Sequence, residues 1–377
     1  MSVKLTIGSA VYNVEERFLR AHIEGVLRQL TDETEFLLID DGSDNGCGAL
    51  CRAYAETDRR VRYLSMGTQQ GLSSVRNRTI DEARGRWIFF ADGDDLLSDH
   101  FVETALSVSG CDADLILHDR LTFLDDKGEE APCAVNDPIP LPADAGRALS
   151  LSVLCLQRFD KKALGLRPRA FYHAAWGALY RRDFLEKTGL RFPPEVKKAQ
   201  DSVFNGEVYC HAKKIAYLPR VMYYYRNNPQ GITKRYCADY EALVRPLIAA
   251  QRACLQRCFP GDRAAEDQYI IHRVISFVLD GLRLDFCHPD NKKPKAQRKK
   301  ELFAFAETAP FRQAIDRFDP DRTDRPDWAV QILLLRKRRF AALDFLLRHA
   351  ALRPVYFKAF RLQKKLRSLL NRREQNA

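Results

Sequence analysis

The feature that most narrows the fold is an alternation within the first 92 residues. Short β-branched or apolar runs at 3–11, 35–40, 61–65 and 86–92 are separated by stretches at 15–30, 49–56 and 71–83 that read as helices. In 15–30 the residues Phe18, Leu19, Ile23, Val26, Leu27 and Leu30 recur near helical spacing, which marks one buried face. Strand and helix in succession predict a parallel sheet with helices on both faces. Such sheets bind ligands at the carboxyl ends of their strands. The unusual residues collect there: Ala10, Tyr12 and Asn13 after the first run, Asp40 and Asp41 after the second, and Asp92, Asp94 and Asp95 after the fourth.

The last cluster demands a chemical reason. Residues 88–97 read IFFADGDDLL, with three aspartates in four positions at the end of a buried run. Carboxylates this close repel one another and raise each other's pKa. Mg²⁺ and Mn²⁺ prefer oxygen ligands, and Mg²⁺ takes one or two carboxylates together with substrate phosphates. Asp92 and Asp94 are therefore candidate metal ligands, with Gly93 letting the backbone turn between them. The competing reading is an Asp-rich turn that caps a helix beginning in DDLLSDHF.

The surroundings favour the first reading. In this order SAVYN (9–13), LLIDDGSDN (37–45) and GLSSVRNRTIDEARGRWIFFADGDD (71–95) resemble the family 2 glycosyltransferases of the GT-A fold. Ala10 stands where that family usually has proline, and Val75 where it has alanine. The resemblance implies a GT-A α/β nucleotide-sugar domain with a mixed central sheet, followed here by a mostly helical C-terminal region. It places residues 1–236 in the transferase domain (nucleotide half 1–120, acceptor half 160–236) and 237–377 in the helical region. By the same resemblance Ala10, Tyr12 and Asn13 line the base and ribose pocket. Asp41, with Asp40 beside it, accepts a hydrogen bond from a uracil imide, for which a carboxylate is chemically suited. Arg76 edges the nucleotide cleft, where a guanidinium pairs with phosphate or aspartate. Asp92 contacts ribose or metal, and Asp94 ligates Mn²⁺ or Mg²⁺ directly.

Downstream, KKAQDSVFNGEV offers Asp201 as the base that takes the acceptor proton in an inverting transfer, with Gln200 in place of the family's usual Glu. A helix N-cap is the structural alternative for Asp201. Trp176, in AAWGALYRRDFLEKTGLRF, stacks on a sugar or belongs to the core. YYYRNNPQGITKR (223–235) resembles the family's closing block, with Gly231 for its Ser, which implies that Arg226 and Thr233 approach the diphosphate or the acceptor, while Tyr223, Tyr224 and Tyr225 also read as a final strand. Residues 112–150 read as less regular, with the polar, Pro/Asp-rich 125–148 suggesting an excursion or flexible loop, and 286–300 as an exposed linker.

Charge is uneven. Residues 291–377 hold 23 Lys/Arg against 9 Asp/Glu, while the rest of the chain, with a net charge of +11 overall, is close to neutral. The segment 355–370 reads as a basic amphipathic helix suited to an anionic membrane surface, or to packing with a solvated basic face. No window reaches the roughly 18 apolar residues of a spanning helix, and the N-terminus lacks the shape of a signal peptide. A cytoplasmic protein, peripheral on the inner face of the plasma membrane, is expected. The ten cysteines contain no CxxC pair and read as buried free thiols.

The function so implied is metal-dependent transfer of a sugar from a nucleotide-sugar, a UDP-sugar by the uracil argument, to a saccharide or lipid-linked acceptor of a surface polysaccharide. A sugar-phosphate nucleotidyltransferase fits less well, because SAVYNVEERF lacks a Gly-rich phosphate loop. A catalytically silent scaffold is the other alternative, given Ala10 and Gln200. Nucleic acid is not an expected partner, since an Asp-lined edge repels phosphate without a metal.

Overall fold

The computed structural model describes residues 2–123, 137–227 and 235–349; Thr233 and the basic segment 355–370 lie outside them. The alternation of the first hundred residues appears as β1 (Leu5–Val11), α1 (Glu16–Leu27), β2 (Thr34–Asp40), α2 (Cys47–Thr57), β3 (Val61–Ser65), α3 (Leu72–Glu82) and β4 (Trp87–Asp92). Then come β5 (Leu96–Leu97), α4 (Phe101–Ser107), β6 (Leu115–Phe123), β7 (Ile139–Pro140) and α5 (Ala145–Cys155). These are followed by β8 (Ala178–Arg181), α6 (Arg182–Thr188), α7 (Gln200–His211), β9 (Ile215–Arg226) and α8 (Tyr240–Cys258).

The nine strands form one mixed sheet in the order β3-β2-β1-β4-β8-β6-β9-β5, with β7 on β9. The first four strands are parallel, and β8 enters antiparallel between β4 and β6. Both sheet faces are covered, which is why β4 can be apolar on consecutive residues. Phe89 meets Phe101 on one face, with ring centroids 4.6 Å apart. Phe90 meets Tyr180 and Phe192 on the other, at 5.3 and 5.4 Å.

Two elements are positioned by glycines. A Cβ on Gly8 of β1 would lie 2.1 Å from Thr79 Cγ2, so α3 rests directly on the strand backbone. On α7, a Cβ at Gly206 would lie 2.8 Å from the Leu154 side chain of α5, and Ser150 Oγ donates to the Gly206 carbonyl at 2.7 Å.

Chain contacts divide the protein into one unit of residues 1–229 with 246–261 and a second of 230–245 with 262–377. In the described part of the second unit every element is helical. Its core includes a buried ion pair in which Arg298 donates to Asp344 Oδ1 at 2.6 Å.

Two expectations are corrected. Residues 112–150 are not simply irregular, since Leu115–Phe123 is an interior strand and Ala145–Cys155 a helix. The polar composition that suggested an excursion belongs to the stretch between them. Nor is 286–300 a linker: Lys295–Glu307 is helical, and its Arg298 is buried.

The close seat of α3 gives a test. Gly8→Ala overpacks the Thr79 contact and is expected to destabilise the protein by about 1–3 kcal/mol. Gly8→Ala with Thr79→Ala is expected to recover most of that loss in a thermal melt.

Candidate active site

The site is assembled at the carboxyl edge of the sheet around one guanidinium. Gly71, at φ +93°, opens α3, and the backbone N–H groups of Gln70 and Gly71 donate to the Asp41 carboxylate at 2.7 and 2.9 Å. With its entry pinned there and its body seated on Gly8, α3 carries Arg76 beneath the strand ends. Arg76 is 3% exposed. Its Nη2 donates to Asp92 Oδ1 at 3.0 Å, and its Nη1 donates to Asp201 Oδ1. Its ring neighbour is Phe192, 5.5 Å away. This buried cation thus pairs with a carboxylate 125 positions away in the chain.

Asp201 lies in the first turn of α7, where the helix dipole favours a carboxylate. It does not cap the helix, because its Oδ2 accepts from the backbone N–H of Ala175 at 3.2 Å. Burial raises its pKa; Arg76 pulls the other way, and Asp92 adds to the rise. The carboxylate is thereby a stronger proton acceptor than an ordinary aspartate, which suits a general base. Gln200 beside it is buried.

The three aspartates after β4 have three different environments. Asp92 is paired with Arg76. Asp95 is buried; its carboxylate accepts from Tyr223 Oη at 2.6 Å and from the Arg226 backbone N–H at 2.7 Å. The Tyr223 oxygen in turn accepts the Asp92 N–H at 3.1 Å. Asp95 therefore braces the turn from behind. The Asp94 side chain has no ion-pair partner among the described residues, and its pKa is pushed up to about 6 by burial, then by the charge of Asp92. A partly buried carboxylate with no ion-pair partner among the described residues, next to a second one, is a donor set that suits a hard divalent cation, although the charge of Arg226 offsets part of its rise. Asp92 and Asp94 would hold it. The turn leads into β5 and not into a helix, so the capping alternative fails.

The remaining candidates fall as follows. Ala10, next to last in β1, lies beside Asp92 in the β1–β4 register. Asn13, at φ +48°, ties the loops after β1 and β2 together: its N–H donates to Ser43 Oγ, and its Oδ1 accepts the Asp44 N–H, both at 3.0 Å. Tyr12 is 41% exposed at the edge. Asp40 accepts from the Ser43 N–H at 3.1 Å and from Tyr63 Oη at 3.3 Å. It also lines a cleft of about 530 Å³ with Ser43, Arg52 and Tyr63, to which Ala10, Tyr12 and Asn13 do not contribute. Arg226 reaches the Asp turn, its Nε donating to the Asp94 carbonyl at 2.8 Å, and lies over Phe18 and Phe123.

Trp176 requires a correction. It is 5% exposed and stacked against Tyr223 (4.5 Å), Phe171 (4.8 Å) and Tyr225 (5.6 Å), so it belongs to the core and not to a sugar platform. Two groups escaped the sequence reading. One is Asp95 as a brace. The other is His22 on α1, whose Nδ1 donates to the Asp95 carbonyl at 2.8 Å while its Nε2 lies 2.7 Å from Ser9 Oγ. Burial lowers the His22 pKa to about 4, so it serves as a neutral strut. Its position on the apolar face of 15–30 was the available signal.

Fold and site together define an α/β protein of the GT-A type, with a carboxylate cluster and a paired arginine at the strand ends. The comparisons agree. Residues 6–189 match the model of glycosyl transferase family 2. It is 31% identical over 232 residues to the glycosyltransferase EpsJ of Bacillus subtilis, a match that spans 59% of this chain and 61% of that protein. It is 28% identical over 311 residues to the glycosyltransferase YibD of Escherichia coli, covering 80% and 83%. The chain thus spans about three fifths of EpsJ. The solved structure of Staphylococcus aureus TarS 1-349 in complex with UDP-GlcNAc superposes with a TM-score of 0.58 at 15% identity, over 93% of this chain and 92% of that one.

Asp94 gives a stability prediction. Its folded pKa of about 6 exceeds the unfolded value near 3.9. Between those values the folded state binds more protons, so metal-free protein loses stability as pH rises. Asp94→Asn is expected to melt higher than wild type at pH 7.5 without metal, by on the order of 1–2 kcal/mol, and to lose the stabilisation that Mn²⁺ gives the wild type.

Proposed function

We propose that the protein transfers a sugar from a UDP-sugar, with Mn²⁺ or Mg²⁺ and with inversion, to a saccharide or lipid-linked acceptor in cell-surface polysaccharide synthesis. The observation that carries this reading is the Asp92–Arg76–Asp201 bridge. It fixes the candidate base in register with the carboxylates at the nucleotide edge. The family match and the nucleotide complexes of TarS support the donor class. A more distant relative, 23% identical over 256 residues, is the poly(ribitol-phosphate) beta-N-acetylglucosaminyltransferase TarS itself, which makes UDP-GlcNAc the first donor to test.

The chemistry follows from this chain's residues. The acceptor hydroxyl attacks the anomeric carbon from the face opposite the leaving group. The new C–O bond forms as the bond to the diphosphate breaks. Asp201 takes the hydroxyl proton, and its raised pKa suits that task. Ala175 N–H and Arg76 hold its carboxylate in one orientation. When bound, the cation neutralises charge on the departing diphosphate. Tyr12 supplies an exposed ring for the base at the strand edge.

The C-terminal segment 355–370 is proposed to hold the enzyme on anionic lipid, on the cytoplasmic side, near a lipid-linked acceptor. No helix among the described residues is long and apolar enough to cross a membrane.

Two tests apply. Asp201→Asn should lower kcat by about 10²–10⁴-fold while leaving metal-dependent UDP binding within threefold by calorimetry. Equal loss of both would make Asp201 a structural residue and remove it as the base. In wild type the acid limb of kcat/KM should lie above the ordinary carboxylate range, because activity needs Asp201 deprotonated and burial raises its pKa. A limb at or below pH 4 would contradict this assignment.

A further inference from the structure

A second cluster of metal-ligating atoms lies outside the strand edge. Cys210 and His211 close α7, and Cys258 closes α8. The two sulfurs and a ring nitrogen of His211 lie within 4.8 Å of one another, and no other His, Cys, Asp or Glu group among the described residues converges so closely. All three residues belong to the first unit. Cys210 and Cys258 are half-buried, and His211 is exposed.

We propose that Cys210, His211 and Cys258 bind a thiophilic divalent cation of the zinc class, at a site separate from Asp92 and Asp94. Thiolate and imidazole select such a cation, whereas the all-oxygen set at the strand ends selects Mg²⁺ or Mn²⁺. Tetrahedral zinc, with bonds of about 2.0–2.3 Å, needs ligand atoms about 3.3–3.8 Å apart. The cluster is within roughly 1 Å of that, and rotation of an exposed histidine and two half-buried thiols closes such a gap without moving a helix.

The orientation of His211 agrees. Its Nδ1 lies 2.8 Å from the Glu207 carbonyl oxygen, which can only accept, so Nδ1 carries the proton and Nε2 keeps a lone pair. This is the outer hydrogen bond that orients metal-bound histidines. The thiols have little to give up, since Cys210 Sγ lies 3.6 Å from the Cys258 carbonyl and Cys258 Sγ 4.0 Å from that of Gly206. Cys254, one turn back on α8, holds its sulfur 3.9 Å from Cys258 Sγ but is not part of the converging set, which leaves the fourth position to solvent. Sequence spacing hid the site, because its ligands lie 47 positions apart. A cation there would fasten the end of α7 to α8. The first turn of α7 carries Asp201, about 14 Å away along the helix axis.

The test is a Co²⁺ titration of the reduced, metal-free full chain. One equivalent should produce a near-ultraviolet thiolate-to-cobalt charge-transfer band and visible bands of a tetrahedral site, both displaced by one equivalent of Zn²⁺. Asp94→Asn should leave them unchanged, since oxygen ligands give no such band. His211→Gln, at an exposed position, should weaken binding at least tenfold. Cys210→Ser with Cys258→Ser should abolish the band. No charge-transfer band from folded, reduced protein would overturn the proposal, and so would a band that survives in the double variant.

Discussion

A single buried guanidinium organises this active edge. Arg76 has almost no contact with water and faces two carboxylates, one from the end of β4 and one from α7. A buried charge is costly unless it is paired and hydrogen-bonded. Here each carboxylate answers to the same cation, so the positions of β4, α3 and α7 are mutually dependent. The glycine at position 8 serves the same end, because it lets α3 lie close enough for Arg76 to sit under the strand ends. Asp41 does likewise by holding the loop from which α3 starts.

That arrangement explains why three aspartates can stand in four positions. Asp92 is satisfied by Arg76, and Asp95 by a phenol and a backbone amide. Asp94 has no ion-pair partner among the described residues, and burial first, then the charge of Asp92, raises its pKa to about 6. Asp95 is raised by the same two causes, so the repulsion inherent in the sequence falls on both. His22 and Tyr223, both kept neutral by burial, hold the turn without adding charge.

The first hundred residues could be read closely because local signals and tertiary structure agree there. Apolar runs set the strands, periodicity set the helices, and the strand-end rule placed the acidic clusters on one edge. The misreadings share a cause. Residues 112–150 mix a strand and a helix with a polar stretch, and composition averaged over the whole hides both. Lys295–Glu307 looks solvated because it is rich in Lys and Arg, yet Arg298 is buried by its pairing with Asp344 in another helix. Trp176 carried no sign in the sequence that its ring would be stacked among Phe171, Tyr223 and Tyr225, because those partners come from other segments. The link between Arg76 and Asp201 was likewise invisible: each residue stood out alone, and only the fold brings them together.

The departure at position 200 can be weighed in the same terms. The family's usual Glu beside the proposed base would add a carboxylate next to Asp201, which already faces Arg76 together with Asp92. Gln200 is buried, and burying another ionised group there would raise every neighbouring carboxylate pKa further. A neutral amide keeps the volume and hydrogen-bonding capacity without the charge. Asp201, by contrast, has the two interactions that orient a base, one to Arg76 and one to the Ala175 amide. The substitution therefore leaves the carboxylate that faces Arg76 intact and changes only its neighbour, which argues for a working base at 201 and not for an active edge that has lost its chemistry.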